Sequence, residues 1–222
     1  MTCVKICGVR DAETLRLLSE QNVDYVGFVF AESRRRVSPQ QVGEMLRQVP
    51  DHPPAVGVFV NPTREELDNV FEHALLQVIQ LHGRESPDDC VRVRDRYHTA
   101  VWKAISVKDG EQLAAEVDRY RSCVDAFLFD TYDKVLAGGT GRRFSWERIP
   151  ELAELAGSVP FFVAGGIDSV NVGRLLDAYG PQAIDISSGV ETDGVKDHNK
   201  IQTFLERVRE HDQDDGSQSD GA

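Results

Sequence analysis

With 222 residues, 41% of them hydrophobic and 28% charged, the chain has the length and composition of one globular domain with a sizeable core. A formal net charge of −12 argues against a general nucleic-acid binder, because the phosphate backbone would be repelled. No apolar run approaches the roughly 18 residues of a transmembrane helix, and the start lacks the basic flank and apolar stretch of a secretory signal, so a cytoplasmic location with no membrane partner is expected.

In chain order, compact runs of Val, Ile, Phe and Ala predict strands at 3–7, 25–30, 55–60, 78–81, 101–105, 126–130, 161–164 and 183–187. Short continuous apolar runs of this kind suit strands buried on both faces of a parallel sheet. Helices are predicted between them with explicit start signals. Ser38-Pro39-Gln40-Gln41 offers an N-cap, a proline at the first helical position and a glutamine three residues on. Thr63-Arg64-Glu65-Glu66 is a capping box, and Ser86-Pro87 repeats the serine–proline entry. Further helices fit 11–21, 109–120, 145–156, 169–179 and 197–210.

Eight strand–helix units in this length predict an α/β single-domain (β/α)₈ TIM barrel over 1–210. A doubly wound open sheet is the alternative, but no G-x-G-x-x-G follows the first strand. The acidic segment 211–222, with almost nothing apolar to bury, is expected to be disordered.

Four cysteines, Cys3, Cys7, Cys90 and Cys123, are expected to be free thiols. Cys3 and Cys7, about 13 Å apart along a strand at ~3.3 Å per residue, are not expected to share a metal ion. Lysine is scarce, six against nineteen arginines. An acidic, lysine-poor surface suggests adaptation to high salt, where screening suppresses self-repulsion; an ordinary solvated surface is the competing reading.

Barrel enzymes carry their chemistry where the strands run out into βα loops. Period-two alternation puts Cys3, Lys5 and Cys7 on one face and Val4 and Ile6 on the other. The apolar pair should meet the helices, leaving Cys7 as the last inward residue. The same alternation turns Phe127 and Phe129 outward and aims Asp130 at the barrel mouth. A thiol and a carboxylate then face one opening, although a lone strand-end cysteine is more often packing than catalysis.

Ala164-Gly165-Gly166-Ile167 and Ser187-Ser188-Gly189 place glycine-rich turns after the seventh and eighth strands, the usual phosphate site of this architecture. Ser33-Arg34-Arg35-Arg36 suggests recognition of an anion, with one arginine reaching the site. Gly138-Gly139-Thr140-Gly141 reads as a loop at the mouth.

Taken together these residues resemble the phosphoribosylanthranilate isomerase family of tryptophan biosynthesis. The resemblance runs from Lys5 to Phe204. It includes Lys5-Ile6-Cys7-Gly8, Gly27-Phe28-Val29-Phe30, Gln80-Leu81-His82-Gly83, Asp130-Thr131, Ala164-Gly165-Gly166 and Asp185-Ile186-Ser187-Ser188-Gly189-Val190-Glu191. Single pieces recur in other phosphate-binding barrels; the ordered set is specific. Two positions depart from the family pattern: Arg36, where tyrosine is common, and Ile167, often leucine.

The resemblance implies an Amadori rearrangement of N-(5-phosphoribosyl)anthranilate by general acid–base catalysis with no metal or organic cofactor. It implies that Asp130 is the general acid and Cys7 the general base. It also implies that Arg35 binds the anthranilate carboxylate, while Gly165, Gly166, Ser187 and Ser188 hold the phosphate, with Asp185 near the ligand and His82 bordering the aromatic ring. For those roles the Cys7 thiol should ionise below its free pKa of about 8.5, with Lys5 as a helper. Asp130 should hold its proton above the usual ~3.9. The same-pathway rivals, indole-glycerol phosphate synthase and the tryptophan synthase α chain, would call for other catalytic residues at the strand ends. A non-catalytic phosphate-binding barrel would not need Cys7 opposite Asp130. Oligomeric state is left open, with a monomer favoured, and Arg35 favours a carboxylated aromatic over the histidine-pathway aminoimidazole ribotide.

Overall fold

The computed structural model describes residues 1–107, 110–130 and 146–219. Eight strands follow one another around a closed barrel: β1 (Cys3–Cys7), β2 (Tyr25–Val29), β3 (Ala55–Phe59), β4 (Val78–Leu81), β5 (Ala100–Ser106), β6 (Ala126–Asp130), β7 (Phe161–Ala164) and β8 (Ala183–Ile186). Neighbours pair in parallel throughout, and β8 closes onto β1 with Lys5 opposite Asp185. The open-sheet alternative is therefore excluded. Eight helices lie outside: α1 (Ala12–Glu20), α2 (Pro39–Gln48), α3 (Arg64–His73), α4 (Pro87–Tyr97), α5 (Gly110–Tyr120), α6 (Ile149–Ala156), α7 (Val172–Tyr179) and α8 (His198–Ser219).

Alternation along the strands splits the apolar residues into two layers. Val4, Ile6, Phe127, Phe129, Ile184 and Ile186 join the core between barrel and helices. The lumen is filled by Val56, Val78, Trp102, Ala104, Leu128 and Phe162, with Cys3 and Tyr25 packed against them. Edge-on contacts of Tyr25 with Trp102 and Phe162 close the barrel floor. This is a packed interior rather than a pore, so ligand access is confined to the loop-bearing end.

The helix starts follow their local signals. Ser38 with Gln41, Thr63 with Glu66 and Ser86 with Asp89 each form both legs of a capping box. Differences from the sequence reading arise where side chains claim the backbone. Helix α7 begins at Val172, not at 169, because Asp168 accepts the N–H groups of Val170 and Asn171 and so holds this stretch as a turn. A 3₁₀ turn at Trp146–Arg148 precedes α6, where one continuous helix from 145 was expected.

The C-terminal helix is the longest of the described elements. Helix α8 continues past residue 210 to Ser219, and residues 220–222 lie outside the described residues. The Asp212 carboxylate accepts hydrogen bonds from the Thr2 backbone N–H and hydroxyl, at 2.8 and 2.9 Å. These bonds tie the start of the helix's last turns to the N-terminus.

One buried cation sits in the wall between β5 and its helices. Lys103 donates to the carbonyls of Leu81, Gly83 and Ala104 and to Glu85 at 3.2 Å. Glu85 also accepts the backbone N–H groups of Asn61 and Gly83, which ties the loops after β3 and β4 to β5. Both side chains are at most 5% exposed. Lys103→Met, which strands the Glu85 charge in this wall, is expected to lower stability by about 3–5 kcal/mol. Urea unfolding measures the change, and a loss below about 1 kcal/mol would mean that the pair is not a desolvated one.

Candidate active site

Cys7 ends β1 and is 8% exposed. Its inward orientation follows from its neighbours: Val4 and Ile6 belong to the outer core, while Lys5, fully buried, spans to Asp185 in a 2.9 Å ion pair. Asp185 is therefore inward as well, and the pairings β8–β7 and β7–β6 continue from it through Ala164 to Asp130. One register line thus carries Lys5, Asp185, Ala164 and Asp130 around the same end of the barrel. Cys7 stands one inward position above Lys5, and Asp130 ends its strand with a half-buried carboxylate 3.5 Å from His82 Nε2.

The loops assemble around this line. Gly165 and Gly166 turn with φ of 94° and 67° directly after β7. Ser188 opens a 3₁₀ turn after β8 and is exposed, while the Ser187 hydroxyl donates to the Cys7 carbonyl at 2.9 Å. The two loops touch: a Cβ on Gly189 would lie 1.9 Å from the Ile167 carbonyl oxygen, so only glycine lets them meet. Asn171, unremarked in the sequence, shapes the first of them by donating to the Gly166 carbonyl and accepting from the Asp168 N–H.

Of the three successive arginines, Arg36 pairs with Glu32 at the surface. Arg35 folds back over Gly8, whose φ of 86° and missing Cβ make room; a Cβ there would stand 2.5 Å from Arg35 Cδ. Its guanidinium is held by Glu191, Nε to Oε1 at 2.6 Å and Nη2 to Oε2 at 2.9 Å, and Arg34 adds a third contact at 3.0 Å. Lys196 completes the cluster, donating to Glu191 Oε1 and to the Ser187 carbonyl, each at 2.9 Å.

Glu191 and Lys196 lie in the segments that carry the family resemblance, but the sequence assigns them no role, because each acquires one only across the short β9 (Glu191–Thr192) and β10 (Val195–Lys196) ribbon. The contact between His82 and Asp130 was equally invisible. The loop 138–141 and Thr131 lie outside the described residues.

The electrostatics correct one expectation. Burial is the dominant influence on Cys7 and pushes its thiol up, not below the free value. The Lys5 charge pulls it down, Asp185 adds to the rise, and Lys196 pulls down again. Lys5 itself is depressed by burial, but Asp185 and Cys7 reverse the effect and raise it overall. Burial would also raise the Glu191 carboxyl; hydrogen bonds from Arg35 and Lys196 outweigh it and hold the group at about 2. Lys196 is lowered by its burial, with Glu191 and Cys7 opposing. The end of the barrel thus sets a thiol raised by burial beside two lysine side chains, and a carboxylate held low by the arginine and lysine that it binds.

Residues 4–207 match the family described as N-(5'-phosphoribosyl)anthranilate (PRA) isomerase. An N-(5'-phosphoribosyl)anthranilate isomerase from Brevibacillus brevis is 54% identical over 213 residues, 96% of each chain. A crystal structure of phosphoribosyl anthranilate isomerase in complex with reduced 1-(o-carboxyphenylamino)-1-deoxyribulose 5-phosphate superposes with a TM-score of 0.79 at 31% identity, covering 94% of this chain and 99% of that one. The dimeric phosphoribosylanthranilate isomerase of Thermotoga maritima, solved as monomeric forms, gives 0.78 at 32% identity with the same coverage. By its length, its barrel and the matched residues, the chain belongs to the N-(5'-phosphoribosyl)anthranilate isomerase family, the isomerases that act on phosphoribosylanthranilate in tryptophan biosynthesis.

Proposed function

We propose that this chain carries out the rearrangement to 1-(o-carboxyphenylamino)-1-deoxyribulose 5-phosphate with Asp130 as general acid and Cys7 as general base. Asp130 donates a proton to the furanose ring oxygen as the nitrogen lone pair forms the C1′=N bond and the C1′–O bond breaks, leaving an iminium that keeps its N–H. The Cys7 thiolate then removes the C2′ proton; the C–H electrons become the C1′=C2′ bond and the C=N pair returns to nitrogen, giving a neutral enolamine. Transfer of the C2′ hydroxyl proton to C1′ yields the ketone, and solvent returns one proton to Asp130 and takes one from Cys7. No net oxidation or proton change occurs, as an isomerisation requires.

The observation that supports this reading most is the shared register line, with Asp130 and the Lys5–Asp185 pair on one level and Cys7 one step above. Acid and base at one mouth serve the two halves of a proton-shuttling reaction. The lysines beside Cys7 stabilise its thiolate once substrate has displaced water. In this reading Arg35 takes the aryl carboxylate, Asp185 borders the ligand, and Gly165, Gly166, Ser187 and Ser188 hold the phosphate. The test is the loss of phosphoribosylanthranilate fluorescence on adding purified protein; an unchanged signal overturns the assignment.

We further propose a salt-adapted, monomeric cytoplasmic enzyme. The net charge of −12 and the six lysines against nineteen arginines support the salt adaptation; among the described residues no helix is long and apolar enough to cross a membrane. Turnover and thermal midpoint are expected to rise together into molar salt, because screening relieves self-repulsion. Loss of both above physiological salt refutes the idea, and sedimentation velocity of the same samples reads the monomer.

A further inference from the structure

We propose that Glu191 is a positioning residue for substrate recognition: it clamps Arg35 side-on so that the other edge of the guanidinium is presented to the carboxylate of the substrate. The inference rests on the assignment of Arg35 to the aryl carboxylate and goes beyond it.

A guanidinium has five N–H donors in a rigid fork. Glu191 occupies the Nε edge, using one hydrogen on Nε and one on Nη2. Two parallel N–H groups on Nη1 and Nη2 therefore remain as an end-on fork, the geometry that receives a carboxylate bidentately. Among the described residues, no acceptor is recorded for Nη1.

The clamp is itself rigidly built. The Glu191 side chain is 4% exposed and sits at the foot of the β9–β10 ribbon, directly opposite Lys196. Lys196 neutralises it from the other side while binding the Ser187 carbonyl. Arg10 donates to the carbonyls of Arg34 and Gly194, locking the loop after β2 to the turn of the ribbon. The Arg35 methylenes cross Gly8, next to Cys7.

The Glu191 carboxylate thus ties the loop after β2 to the segment after β8, and Arg35, crossing Gly8, brings in the loop after β1. With three cations on one anion, the cluster keeps an excess positive charge for an anionic ligand. A free arginine on a loop would have to be ordered at each binding event, and the clamp removes that cost beforehand.

The experiment compares Glu191→Gln and Arg35→Gln with the wild-type chain on two substrates: phosphoribosylanthranilate, and N-(5-phosphoribosyl)aniline, which lacks the carboxylate. With phosphoribosylanthranilate, Glu191→Gln is expected to raise KM about ten-fold, the worth of one charge-assisted hydrogen bond, with kcat within about three-fold. With the aniline substrate, any loss in Glu191→Gln passes only through Lys196 and the Ser187 loop, so its KM penalty is expected to be at least about three-fold smaller than with phosphoribosylanthranilate.

Equal losses on both substrates, or no loss on either, overturn the proposal. If Arg35→Gln also fails to distinguish the substrates, the Arg35 assignment itself falls, which separates that failure from one confined to Glu191. Should the glutamine variant fold poorly, Glu191→Asp, which keeps the charge but withdraws it, must show the same substrate-dependent split in KM; an even loss counts against the clamp.

Discussion

Cys7→Ser is expected to lower kcat by about 10³-fold while KM for phosphoribosylanthranilate stays within a few-fold, the range of losses when a positioned general base is removed. Serine keeps the size of the side chain, so the packed end of β1, 8% exposed, is left undisturbed. What changes is acidity, since a hydroxyl ionises far above a thiol and the buried site disfavours its anion further.

The same physics sets the pH dependence. Burial raises the Cys7 thiol, so in the wild-type chain the thiolate fraction, and with it kcat/KM, should climb as pH rises through that pKa. Lys5, Lys196 and Arg35 bring positive charge to this group and Asp185 negative charge; their balance places the limb. Fluorescence-monitored single turnovers across pH measure both effects. A serine variant within about ten-fold of wild type, or one that retains the rising limb, removes Cys7 from the role of base.

Asp130→Asn is expected to cost about 10²–10⁴-fold in kcat with binding retained. The amide preserves shape and polar contact near His82, 3.5 Å from the native carboxylate, but has no acidic proton for the ring oxygen. Because ring opening and C2′ deprotonation are successive barriers, the Cys7→Ser, Asp130→Asn double variant should fall no further than the worse single variant allows, far short of the product of the two losses. Product analysis after long incubation checks the ordering: an asparagine variant with normal turnover ends the acid assignment. A double variant that loses the full product places both groups in one transition state.

Much of the site's framework was legible because the signals are local. Alternation of Val4 and Ile6 with Lys5 and Cys7 distinguishes helix-facing from lumen-facing positions, since only the apolar pair can meet the helices without leaving a charge unpaired. The caps at Ser38, Thr63 and Ser86 likewise depend on residues three apart. The contact of Asp212 with Thr2 was not legible for the opposite reason: the two residues lie at far ends of the chain.

The amino-acid order by itself determined the alternating strands and helices, the inward thiol and carboxylate, and the glycine turns after β7 and β8, all properties of neighbours within one or two turns of backbone. Closure of the barrel decided the rest. It brought Glu191 to Arg35 across 156 positions, set Lys103 on Glu85 in the wall, and enclosed Cys7 so that burial raises its thiol. Such pairings depend on where separate loops converge in space, and the strength of each charge depends on how much water the surrounding fold excludes.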